Sequence, residues 1–421
     1  MTHDAAMPDF TPFIRPGDTV IWGQATAEPL TLTRALVAQR HRLARLRLVL
    51  GIDLGRTLLP AHADAFDFIS YCGAGGNRQL ARAGLLDILP CAYSQLPEQL
   101  RHGQYRVDVV LLQVSPADAQ GRHSLGLAND WLIPALGGAR TVIAEVNPDL
   151  PWTFGAATLG AADIDLLVPA RHAPLQMAAL PATPVDTEIA RRVAALVEDG
   201  ATLQLGLGGV SDQVLAALGG HRHLGLHTGV VGDAIVGLAE SGALTNARKT
   251  LDRGVGIAGI LMGSRRLYDF AHRNRDLQLR GCNYTHDAEV LRTLDRFTAI
   301  NSALEVDLTG QINAEVAAGQ YVGAVGGAPD FLRAAHLSSG GLPIIALPAT
   351  AGERSRIVPR LNGPVSTSRC DAGLIVTEYG VADLRGQSLK TRIRRMIDIA
   401  APQHRAALEC GAREALGYAI A

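Results

Sequence analysis

The chain is short of cysteine, aromatic residues and net charge, and each shortage excludes something. Five cysteines in 421 residues (Cys72, Cys91, Cys282, Cys370 and Cys410) stand singly, with no C-x-x-C spacing. An odd, scattered set argues against a disulfide framework and fits a reducing, cytoplasmic compartment. Aromatic residues make up 5% of the chain, and they do not interleave with the dispersed arginines, so nothing points to nucleic-acid binding. The formal net charge of −1 gives no global field for nucleic acid, an anionic membrane or a basic partner. No apolar run approaches the length of a membrane span. The first residues, Met1 to Asp9, are polar and slightly acidic, unlike a secretory signal. Neither G-x-x-x-x-G-K-[ST] nor G-x-S-x-G occurs. His221, His223 and His227 cluster without a cysteine or acidic partner at metal-ligand spacing, so no metal is expected and the cluster reads as a surface loop.

What is present is the composition of a folded α/β protein: 48% hydrophobic and 19% charged residues. A chain of this length exceeds one ordinary core and predicts two domains. Short apolar runs read as buried strands at 106–112, 141–146, 202–205, 343–347 and 373–377. Ala- and Leu-rich stretches of helical spacing, such as 188–197, lie between them. Strand and helix in alternation predict open α/β sheets. Four prolines between 169 and 184 mark a linker, which divides the chain into domains 1–180 and 181–421. Residues 16–23 echo 199–206 as turn, strand, small-residue loop and helix start, consistent with two similar halves. A final helical stretch, 389–416, carries Lys390, Arg392, Arg394 and Arg395 early; they read as a solvated face or as a phosphate contact.

Three stretches carry candidate chemistry. Gly206-Leu207-Gly208-Gly209 follows a strand and precedes a helix, where backbone N–H groups and the positive helix end can face an anion or a carbonyl oxygen. Ser211 stands where a dinucleotide fingerprint needs its third glycine, so nicotinamide binding is disfavoured. Gly323 to Phe331 has Gly326 and Gly327 leading into Pro329 and Asp330, a helix start that can offer adjacent N–H groups to an oxyanion. Residues 300–311 predict a strand with Glu305 and Asp307 on one face. Paired acids there suit either acid–base work or a hydrogen-bonded sheet face. Trp131, Trp152 and Phe154 suit an acyl pocket or a core.

Together with Gly73 to Arg78, Gln113 to Pro116, Glu145 to Pro151, Asp199 to Gly206, Leu267 to Phe270 and Thr377 to Gly380, these stretches resemble the acetyl-CoA hydrolase/transferase family. The resemblance implies two similar α/β domains with the active site in the cleft between them. It implies acyl-CoA and a small carboxylic acid as substrates, no permanently bound cofactor, and a dimer. It also implies CoA held mainly by the second domain, which makes Gly206, Gly208, Gly209, Asn301, Gly326, Gly327 and Asp330 the candidate binding residues. The family chemistry uses a glutamate that attacks the thioester and passes through an acyl anhydride to a glutamyl–CoA thioester.

One position departs from the family. His227-Thr228-Gly229 stands where the resemblance implies His-Thr-Glu, and glycine has no nucleophile. Ala324 also replaces an expected glycine. Three readings follow: a relocated carboxylate, with Glu28 first and Glu305 second, in a CoA-transferase; an acyl-CoA hydrolase using water; or an acyl-CoA-binding protein without turnover.

Overall fold

The computed structural model describes residues 7–155, 157–179 and 181–417, so Met1 to Ala6 of the polar start lie outside the described residues. The chain forms two compact units. Their membership is not sequential: one unit holds 1–91, 95–177 and 259–283, and the other holds 92–94, 178–258 and 284–421. The expected blocks 1–180 and 181–421 therefore each contain a segment that packs with the other unit.

The first unit is built on seven parallel strands: β1 (Thr19–Trp22), β2 (Leu46–Leu50), β3 (Phe66–Ser70), β4 (Leu86–Ile88), β5 (Val109–Val114), β6 (Thr141–Val146) and β7 (Leu166–Pro169), in the order β7-β6-β5-β1-β2-β3-β4. β5 is buried at all six positions, as expected of a central parallel strand covered on both faces. Its core gathers Val20, Leu48, Phe68, Leu111 and Ile143 from the strands with Leu36 of α1 (Leu30–Gln39). Helix α1 has no side-chain cap at Pro29. Instead Glu145 of β6 accepts hydrogen bonds from Thr31 N (2.9 Å) and Leu32 N (3.1 Å), satisfying two first-turn donors from across the sheet.

The second unit has six strands: β8 (Thr202–Leu205), β9 (Gly225–Leu226), β10 (Phe297–Asn301), β11 (Leu342–Ala346), β12 (Leu374–Thr377) and β13 (Gly380–Asp383), in the order β9-β8-β10-β11-β12-β13. All pairs are parallel except the edge hairpin β12–β13. In both sheets the first strand is internal, with the next strand on one side and later strands on the other. The topological switch thus falls beside β1 in one unit and beside β8 in the other, a placement that matches the echo between 16–23 and 199–206.

The helices of the second unit include α2 (Pro184–Ala194), α3 (Gly209–Ala217), α4 (Ala328–Leu337), α5 (Leu389–Asp398) and α6 (Pro402–Leu416). Helix α2 starts inside the expected linker because Thr183 caps it, accepting from Asp186 N, with Pro184 at the first helical position. The single helix expected over 389–416 is two helices. Pro402 starts the second and restricts the residue before it. Of its early basic residues, Arg392 Nη1 donates to Thr309 O (3.1 Å) and Arg369 O (2.7 Å), and Arg395 donates to Asp383 O. Trp131 and Trp152 are core residues; the indole of Trp131 donates to Trp22 O at 3.1 Å. No helix among the described residues is long and apolar enough to cross a membrane.

Candidate functional site

The carboxyl ends of the second-unit strands assemble most of the residues singled out in the sequence. β8 runs into Gly206 to Gly208 and then α3. Beside it, β9 runs into His227, Thr228 and Gly229, with Thr228 Oγ1 donating to Leu205 O at 3.1 Å. β10 ends at Asn301, whose amide exchanges hydrogen bonds with Gln204 of β8 (2.8 and 3.3 Å) and lies 3.9 Å from the position a Cβ on Gly206 would take. Gly206, Gly208, Gly209, Gly229, Gly326 and Gly327 are all half-exposed, on loops next to fully buried strands.

Two helix N-termini open at these loops without a capping side chain: α3 after Gly208 and α4 after Gly327. Gly208 has φ +131° and nothing within 4 Å of where its Cβ would stand. Its glycine is demanded by conformation rather than by lack of room. Gly326, at φ +62°, turns the chain into α4, and its carbonyl accepts from Tyr93 N at 3.0 Å. Asp330, in the first turn of α4, is already engaged: its carboxylate accepts from Ser94 N (3.1 Å) and Ser94 Oγ (2.7 Å). Burial nevertheless raises its pKa to about 6.

Gly229 and Gly327 meet at a residue that the sequence did not flag. A Cβ on Gly229 would lie 2.7 Å from His286 Cε1, and one on Gly327 would lie 2.5 Å from His286 Nε2. His286 is 5% exposed, with its ring between Tyr93 (centroids 4.7 Å apart) and Phe331 (4.5 Å). Burial, and then the neighbouring His227, lower its pKa to about 3, so the imidazole is neutral at physiological pH. His227, expected in a surface loop, is fully buried at the end of β9, with Nε2 3.2 Å from Thr285 O. Its pKa is likewise lowered to about 3, by burial first and Lys249 second.

Glu28 belongs to the first unit, in the loop after β1. Both its oxygens are held: Oε1 accepts from Thr33 Oγ1 (2.9 Å) and Thr57 Oγ1 (2.7 Å), and Oε2 from Gly55 N (3.2 Å). Burial raises its pKa, and the nearby Asp53 adds to the rise. Asp53 Oδ1 accepts from Arg56 N, while Oδ2 has no partner among the described residues. Gly76 N donates to the Asp53 carbonyl at 2.8 Å, which accounts for the glycine pair of the 73–78 stretch packing there. Glu305 and Asp307 lie on a short strand (Glu305–Asp307) and are saturated with local bonds. Glu305 accepts from Asn313, Asn362 and Gly363, and Asp307 from Thr309 and Gln311.

A parallel sheet with two uncapped helix ends at its switch point is the construction by which α/β proteins receive an anionic or carbonyl-bearing ligand. The chain matches the acetyl-CoA hydrolase/transferase N-terminal domain over residues 5–170 and the C-terminal domain of the same family over 263–412. It is 37% identical over 395 residues to a 4-hydroxybutyrate coenzyme A transferase of Clostridium kluyveri, covering 92% of each chain. It is 34% identical to a butyryl-CoA:acetate CoA-transferase of Anaerostipes caccae, covering 93% of this chain and 92% of that one. RipA of Yersinia pestis superposes with a TM-score of 0.92 at 33% identity, over 96% of this chain and 95% of that one. The protein belongs to the acetyl-CoA hydrolase/transferase family.

Proposed function

We propose that this protein is an acyl-CoA:carboxylate CoA-transferase whose thioester substrate is held at the strand ends of the second unit. The observation that carries this reading is the pair of uncapped helix N-termini, α3 and α4, beside Gly229. Their N–H groups suit the oxyanion formed when a thioester carbonyl is attacked. Gly206, Gly208, Gly209, Asn301, Gly326 and Gly327 shape that edge, and Asp330 holds Tyr93 and Ser94 against it.

The attacking carboxylate is not residue 229. Under transfer, Glu28 is the proposed replacement, and its burial and raised pKa suit a reactive carboxylate. As a nucleophile it must release the hydrogen bonds from Thr33, Thr57 and Gly55. A second reading, hydrolysis of the acyl-CoA, is favoured by one observation: the imidazole of His286 occupies the space over Gly229.

The test is incubation of the full chain with acetyl-, butyryl- or succinyl-CoA, with and without a second carboxylic acid, followed by chromatography of the CoA esters and intact mass. A new acyl-CoA that needs the added acid supports transfer, and a CoA adduct on Glu28 locates the nucleophile. Free thiol without a new ester supports hydrolysis. CoA binding with neither product leaves a binding protein and defeats both enzymatic readings.

A further inference from the structure

The space over Gly229 is filled by a side chain that is held in place and only half used. The edge of His286 that carries Nε2 rests on the backbone of two glycines from different loops. Nε2 lies 3.0 Å from the Cβ position of residue 229 and 2.5 Å from that of residue 327. A Cβ at either position would force the ring to shift. The ring packs in tilted contacts against Tyr93 and Phe331, and the far nitrogen, Nδ1, is 2.9 Å from Thr285 Oγ1. Nε2 has no hydrogen-bond partner among the described residues. Nε2 is not among the sealed polar atoms that lack a partner, so this nitrogen retains access to solvent at the edge of the loops. In the tautomer in which Nδ1–H donates to Thr285 Oγ1, Nε2 carries the lone pair.

We propose that His286 is a catalytic base that stands in for the carboxylate absent at position 229, and that its Nε2 activates water against the bound thioester. This rests on the hydrolysis reading given above. The oxygen of the water bonds to the thioester carbonyl carbon as its proton passes to Nε2. The carbonyl electron pair moves onto oxygen, where first-turn N–H groups of α3 or α4 receive it. Collapse breaks the carbon–sulfur bond, and the proton on Nε2 passes to the departing sulfur. The products are the carboxylic acid and the CoA thiol, with His286 neutral again. Burial keeps the ring unprotonated between turnovers. Thr285 is a positioning residue, since it acts only through Nδ1. Gly229 and Gly327 take part by lacking side chains.

The experiment is a continuous thiol assay on the full chain with acetyl-, butyryl- and succinyl-CoA. It compares wild type, His286→Ala and His286→Gln, with CoA affinity by calorimetry and melting temperature recorded for each. Expected is thiol release by wild type, a fall of ~10²–10⁴-fold in both variants, CoA binding retained, and partial rescue of His286→Ala by added imidazole. Gln keeps a polar side chain at the site but cannot cycle a proton, so a folded, CoA-binding and inactive Gln variant supports the base role even if the Ala variant melts early. Undiminished thiol release in either variant overturns the role of His286 while hydrolysis stands. Wild type that binds acyl-CoA without releasing thiol overturns hydrolysis itself, and the inference with it.

Discussion

If His286 occupies the space that a side chain at 229 would need, the two positions are coupled in stability, whatever the chemistry. In Gly229→Ala the new Cβ would stand 2.7 Å from His286 Cε1 and 3.0 Å from Nε2, with Phe331 Cε2 at 3.8 Å. The imidazole has little freedom to retreat, because Tyr93 and Phe331 confine its faces and Thr285 ties Nδ1. Overpacking a confined site costs ~1–3 kcal/mol. Replacing glycine by alanine stabilises by ~0.4–1 kcal/mol through the unfolded chain where the backbone permits. Gly229 is not among the positive-φ glycines, so the two effects oppose each other and the clash wins. His286→Ala removes the obstacle, and in that background Gly229→Ala becomes neutral or mildly stabilising. Urea midpoints of wild type, both single variants and the double variant complete the cycle. The expected coupling is ~1–3 kcal/mol, with the double variant more stable than the singles predict. Additive effects, or a Gly229→Ala protein as stable as wild type, would refute the packing argument, and with it the claim that the imidazole replaces a side chain at 229.

Other outcomes follow from the same geometry. Glu28→Gln places an amide against donors it cannot all satisfy, and the expected loss is ~1–3 kcal/mol at neutral pH by denaturant midpoint; under the transfer reading it also abolishes acyl exchange while CoA still binds, and full exchange in the variant removes Glu28 as nucleophile. His227 and His286 have folded pKa values depressed from 6.5 to about 3. Their contribution is fully present above pH 6.5 and is lost as pH falls from 6.5 towards 3, so wild type is expected to lose stability across that window more steeply than His286→Ala does. Glu145 behaves oppositely: burial raises its pKa from 4.5 to about 7, so its contribution is present below 4.5 and is lost as pH rises to 7. Glu145→Gln should flatten that loss, worth up to ~3 kcal/mol, in melts between pH 5 and 8. Gly208→Ala strains a φ of +131° and is expected to weaken CoA binding by calorimetry with a modest drop in melting temperature; unchanged affinity would separate the α3 loop from the ligand.

The sheets were largely legible because central parallel strands are unbroken apolar runs: 141–146 and 202–205 match β6 and β8 in full. The helix break before Pro402 was missed: the restriction that proline places on its predecessor was masked by the helical pattern on both sides. Gly229 was found because a residue type was missing from a motif. His286 was not, because its meaning lies in a contact between positions 57 residues apart that no local periodicity encodes. Glycine at 229 was half of the signal. The other half, an imidazole needing that room, exists only in the folded chain. His227 was misplaced for a related reason: a polar residue after a two-residue strand resembles a loop, until β9 is paired with β8 and the position becomes interior.

The exchange of segments between the two units has a consequence for the gene. Residues 92–94 bring Tyr93 to His286 and Ser94 to Asp330, yet they are encoded in the first half. Residues 259–283 belong with the first unit, yet they are encoded in the second, where Asn129 N meets Gly259 O and Leu261 N meets Leu127 O. A single cut anywhere in 178–258 therefore yields two incomplete pieces: one loses Tyr93, which packs on the imidazole, the other a helix and two strands. Whatever duplication the sheets preserve, neither half of the gene encodes a complete packing unit, and the ring beside Gly229 packs on a residue encoded 136 triplets upstream of it.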